Sequence, residues 1–206
     1  MGMSKLSFSS RYWFALTIVV SLVFTLTIDA DAQPIDKVIF PKTAQHLLIS
    51  YSVQHDMLAQ NDVTPLIRIY GDGRMRVHRP AYMKKSGDYE MKLSQPVLQA
   101  LCRKFIDHQI MSFSEENAKN EIKDMQNASG HQYAISDSSS VEITFNPVAV
   151  RLARSSRVEP VGGRRHKVLN PRAQARFFSQ STYRHISALE DELISFLYAD
   201  GLVRVP

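Results

Sequence analysis

The chain has 206 residues, 25 Lys or Arg against 20 Asp or Glu, a formal charge of +5 and one cysteine, Cys102. A lone cysteine excludes an intramolecular disulfide and a zinc site built from several thiolates, so stability has to come from the core. The length suits one domain, and two would be cramped.

Lys5 and Arg11 precede an apolar run from Tyr12 to Ile28 that ends at Ala30-Asp31-Ala32. This is the layout of a secretory signal peptide, residues 1–32, with cleavage after Ala32 and a mature chain from Gln33. Cleavage removes two basic and two acidic residues and the single tryptophan, Trp13, leaving the charge at +5. An uncleaved N-terminal membrane anchor is the alternative, but the apolar run is at the short end of what spans a bilayer. A bacterial lipid anchor would need a cysteine at the cleavage point. The expected location is therefore periplasmic or secreted, with no transmembrane segment after cleavage.

Residues 33–44, with two prolines and no clear period, read as a lead-in. In "HLLISYSVQ", Leu47, Ile49, Tyr51 and Val53 alternate with Leu48, Ser50, Ser52 and Gln54, marking a half-buried strand. "IRIYGDGRMRV", residues 67–77, reads as a hairpin. A two-residue Asp72-Gly73 loop would mix Ile69 with Arg76 and Arg68 with Val77. A three-residue loop of Gly71, Asp72 and Gly73 sets Ile69 opposite Met75 and Ile67 opposite Val77, giving one wholly apolar face. Register follows the buried face, so the second loop is expected, with Gly73 in the left-handed conformation. "DYEMKL" supplies a further strand facing Tyr89, Met91 and Leu93 one way.

Ser94 is an N-cap and Pro96 a first-turn residue of a helix reaching Asp107, with Val97, Leu98, Leu101, Cys102 and Phe105 on one face. Cys102 is thus expected to be buried and inert. A capping box from Ser112 to Glu115 opens a shorter, more exposed helix with a stripe of Ala118, Ile122 and Met125. Val141, Ile143 and Phe145 alternate as a strand that Pro147 ends. Residues 151–176 hold eight basic side chains, including Arg164, Arg165 and Lys167, against Glu159, and with two prolines and two glycines read as a long basic loop. Ile186, Leu189, Leu193 and Leu197 mark a last helix, with Gly201 as its stop.

The same residues limit the chemistry. A calcium loop at residues 67–77 fails because Asp72 is the only carboxylate between Asp62 and Asp88. A phosphate cradle needs a following helix, and Arg74 to Val77 alternate as a strand. The hairpin register places Arg68 across from Arg76, with Arg74 and His78 on the same solvent face and Lys84 and Lys85 nearby. Like charges so placed cost about 0.2–1 kcal/mol. That basic face either meets an acidic protein or an anionic envelope polymer, or is a solvated surface on which Glu90 neutralises one arginine. The 151–176 segment has the cations for phosphate, but Phe177 and Phe178 follow the run instead of interleaving with it, so no nucleic acid is expected. No G-x-S-x-G elbow, no H-E-x-x-H and no metal-spaced cluster occurs, and His55, His108, His131, His166 and His185 are scattered. No catalytic residue, metal or cofactor is assigned. Asn127-Ala128-Ser129 matches the N-glycosylation pattern, which matters only in a eukaryotic secretory pathway.

The run from Pro65 to Phe113, with its Y-G-D-G-R turn, G-x-Y strand and LS…L…L helix, and the piece "ISDSSSVEIT" resemble a family of uncharacterised exported bacterial proteins. The shared motifs are turn glycines, a cap and core positions, so the resemblance implies fold and bacterial export and no activity.

The expectation is a single α+β domain over residues 33–206, with an antiparallel sheet of about four or five strands packed by two or three helices. The expected function is a non-catalytic binding or interaction module with a basic hairpin face. An exported hydrolase with a dispersed site is the alternative, favoured if a concave pocket holds a Ser or His beside a carboxylate. A structural protein whose basic loop orders on assembly is a third reading.

Overall fold

Short apolar runs of period two share this chain with three longer runs of period 3.6, and the two kinds build separate layers. A computed structural model describes residues 34–55, 62–130, 139–179 and 181–206, and the expected signal peptide and cleavage point lie outside them. The strands are β1 (Ile35–Ile39), β2 (Leu47–His55), β3 (Ile67–Tyr70), β4 (Arg74–Arg79), β5 (Gly87–Lys92), β6 (Ser139–Phe145), β7 (Ala149–Leu152), β8 (Val158–Pro160), β9 (Arg164–Leu169) and β10 (Val203–Arg204). The helices are α1 (Gln95–Asp107), α2 (Glu115–Ser129), α3 (Pro171–Phe177) and α4 (Tyr183–Phe196).

The fold is α+β with two antiparallel sheets, one of seven strands in the order β10-β5-β4-β3-β2-β6-β9 and one of three in the order β1-β7-β8. This exceeds the four or five strands expected from sequence. The lead-in supplies β1, the supposed basic loop supplies half of β7 together with β8, β9 and nearly all of α3, and the last residues supply β10. These pieces escape a periodicity reading because they are short and mostly polar. In β9 only Val168 is buried, and its inward neighbours His166 and Arg164 reach backbone oxygens instead: His166 Nε2 lies 2.8 Å from Ile110 O, and Arg164 Nε donates to Met111 O at 3.1 Å.

Directly paired residues share a sheet face, so the register separates two rows. One runs His166, Ile143, Tyr51, Ile67, Val77, Tyr89 across six strands. Its residues, with Ile49, Ile69, Met75 and Phe145, turn towards the helices. Leu98, Leu101 and Phe105 of α1, Ala118 and Ile122 of α2, and Ile186, Leu189 and Leu193 of α4 join them in one core. The Phe105 and Phe145 rings meet at 4.9 Å. Each such side chain contributes about 1.5–3 kcal/mol by leaving water. Cys102 is fully buried among them, and burial pushes its thiol up to about 12, so it stays protonated and inert. Val97, expected on this face, is exposed instead.

The caps differ in detail from the sequence expectation. Ser94 sits at the start of α1, but its side chain makes no cap bond. The cap of α2 is Ser114, which accepts from Asn117 N, and not Ser112. Ser112 belongs to the turn after α1, where its hydroxyl donates to Gln109 O and Ile110 and Phe113 are buried. The Asn127-Ala128-Ser129 sequon falls inside α2.

Candidate functional site

The hairpin carries the best-defined cationic side chains. Its strands pair Ile67 with Val77, Arg68 with Arg76 and Ile69 with Met75, the register of the three-residue loop. Gly73 N donates to Tyr70 O at 2.8 Å, and Asp72 Oδ1 accepts from Arg74 N at 3.0 Å. Gly73 has φ +89°, and a Cβ there would lie 2.5 Å from Leu93 O. A Cβ on Gly71 would lie 1.8 Å from Pro41 O, so the loop is held against the chain that precedes β2.

The second cross-strand row runs Arg165, Thr144, Ser50, Arg68, Arg76, Glu90. It lies on the face turned away from the helices. Two groups of basic residues far apart in sequence therefore share one surface, Arg165 standing three strands, or about 14 Å, from Arg68. Lys167 is on that face opposite Glu142, whereas Arg164 alternates to the helix side. The basic segment is thus split by its pleat, and it does not form one patch.

The open face is also less basic than its arginines suggest. Arg76 Nε meets Glu90 at 3.0 Å, Lys92 meets Asp72 at 3.0 Å and Arg165 meets Glu142 at 2.8 Å. Arg74 donates to Ala44 O at 3.0 Å and lies over the Tyr70 ring. His78 is clasped on both ring nitrogens, Nε2 at 2.7 Å from Asp62 and Nδ1 at 2.8 Å from Asp88. Burial works against the charged imidazole, but the hydrogen bonds to Asp88 and Asp62 outweigh it and the His78 pKa is raised. The Thr64 backbone N–H, then His78, bring Asp62 down to about 2. Arg68 is different. Like Arg74 it has no ion pair among the described residues and a buried Nε without an acceptor, but unlike Arg74 it makes no other hydrogen bond to them.

Arg68 lines a cavity of about 300 Å³ with Thr64, Arg76, His78, Asp88 and the last two residues, Val205 and Pro206. Here is a His beside carboxylates in a concave site, the arrangement a hydrolase would need. Its wiring is wrong for that chemistry. A general base needs a free ring nitrogen to take the nucleophile's proton, and both nitrogens of His78 are held by carboxylates. Thr64 donates its backbone N–H to Asp62 Oδ1 at 2.9 Å, and no hydrogen bond joins it to His78 among the described residues. His78 therefore acts as a cation that ties residue 62 to β4 and β5.

The residues that sequence reasoning missed are Asp62, Thr64 and Asp88, which only the fold brings to His78. A buried polar pair was also invisible: Tyr51 OH donates to Glu190 Oε1 at 3.1 Å inside the core, and Arg172 Nε stands 3.4 Å from the other oxygen. Burial, and then Glu190, raise the Tyr51 pKa, and burial raises that of Glu190. Among the described residues no three His, Cys, Asp or Glu gather to hold a metal, and no helix is long and apolar enough to cross a membrane. The chain matches no family model, no curated protein and no solved structure.

Proposed function

We propose that the protein is an exported, non-catalytic binding module that holds a carboxylate-bearing partner on the open face of its seven-stranded sheet. The observation that carries this reading is Arg68. It is a guanidinium without a counter-charge among the described residues, in a cavity whose other cations already have acids. A planar fork with free N–H groups suits a carboxylate, which can accept two parallel hydrogen bonds. Arg76 and the His78 clasp shape the wall around it. Export is supported by the charged start, apolar run and A-x-A end of residues 1–32.

Salt-dependent retention on a carboxylate resin tests the site. Arg68→Ala should elute at lower salt than Lys119→Ala, which removes a cation already paired within α2. Equal elution of the two variants would overturn the assignment. N-terminal sequencing of the exported protein should begin at Gln33, and a start far from it would remove the export reading.

A further inference from the structure

Arg79 ends β4 and is only 6% exposed. Burying a guanidinium costs free energy unless protein groups replace its water. Its Nε and Nη2 both donate to Leu197 O, just after α4, at 2.9 and 2.5 Å. The Tyr89 and Tyr198 rings flank it at 4.2 and 5.4 Å. This fixes the fork but uses only part of it, since a guanidinium has five N–H donors. Nη1 bonds no described residue, yet it is not sealed from solvent.

Arg79 lines a cavity of about 480 Å³ between the loop after β4 and the residues after α4. Lys84, Lys85, Tyr198 and Asp200 also line it. The C-terminal end of α4 carries partial negative charge, which Arg79 offsets. Lys84 and Lys85 then exceed Asp200 by one charge. Tyr89 OH donates to Lys85 O at 2.8 Å, which holds the lysine loop in place. Tyr198 is 61% exposed and presents a ring wall beside these cations.

We propose that this cavity binds an oxyanion carried on an aromatic ring. Arg79 Nη1, Lys84 and Lys85 meet the oxyanion, and Tyr198 stacks on the ring. The site is independent of the open-face reading, because Arg68, Arg76 and His78 do not line it.

Isothermal titration of the full chain at low salt with phenyl phosphate and benzoate tests the proposal, with inorganic phosphate and benzyl alcohol as partial ligands. Binding is expected for at least one ring-bearing anion. Inorganic phosphate should bind about tenfold more weakly, and benzyl alcohol should give no heat. Preference between phenyl phosphate and benzoate identifies the oxyanion. A Lys84→Ala, Lys85→Ala double variant and Tyr198→Ala, all at the surface, should each weaken binding about tenfold with unchanged melting temperature. Arg79 is left intact because its loss would strip the end of α4. The proposal is overturned if neither ring-bearing anion binds, or if both variants bind as the parent does.

Discussion

The two faces of the seven-stranded sheet are made by the same strands, residue alternating with residue, yet they answer to different constraints. On the helix side, Ile67, Ile69, Met75 and Val77 are almost completely buried, and their pairing leaves one register possible. On the open side, Arg68, Arg76 and Glu90 take whatever positions that register assigns them. One face therefore fixes the geometry, and the other is free to carry charge. The contrast predicts that substitutions will sort by face.

The largest effect belongs to the sealed side. Phe105→Ala should lower the unfolding free energy by about 3–5 kcal/mol in urea denaturation, by lost transfer energy and the cavity left behind. A cost below about 1 kcal/mol would mean the helix face is not close-packed. Gly71→Ala comes next, because its new Cβ collides with Pro41 O. It should cost about 2 kcal/mol through backbone strain, with faster amide exchange at Gly73 and Arg74.

Tyr51→Phe removes one buried hydrogen bond and should cost about 1 kcal/mol. Its partner adds a pH signature. Burial raises the folded pKa of Glu190 above its ordinary 4.5, so the stability tied to its neutral form is complete below 4.5 and is lost as pH rises through the folded value. Glu190→Gln should flatten that part of the stability profile in thermal melts. An unchanged slope would show that Glu190 is not the group responsible.

The smallest effect lies on the open face. Asp62 is held down to about 2, so its contribution is present above its ordinary 3.8 and is lost as pH falls towards 2. His78, raised above 6.5, contributes below 6.5 and loses its share as pH rises through its folded value. The clasp is therefore strongest between about pH 4 and 6.5. His78→Gln should remove this plateau from a plot of melting temperature against pH. A plateau that persists in the variant would break the distinction between a structural clasp and an inert surface.

What could be read in advance follows from the same contrast. The hairpin register, the extent of α1 and the burial of Cys102 were legible because apolar side chains repeat at the period of their element. Strand β9 was not, because two of its three inward residues satisfy themselves on the oxygens of Ile110 and Met111 and give no apolar signal. Strand β1 is five residues long with Asp36 and Lys37 in its middle. In the candidate site, Arg68 facing Arg76 was legible from register alone. The Asp62 and Asp88 partners of His78 depend on how a connection folds back on the sheet, and Glu190 lies within "LEDELI", where it reads as helix surface.

Strand β9 also gives the basic segment a use that needs no ligand. It pairs only with β6 among the described strands and so forms one margin of the seven-stranded sheet. An uncovered margin offers backbone donors and acceptors on which another copy could extend the sheet, and charged side chains deter that growth. Arg164, Arg165 and Lys167 stand on this margin. Replacing all three with threonine should keep strand propensity and favour edge-to-edge joining of copies, seen as larger species in size-exclusion chromatography.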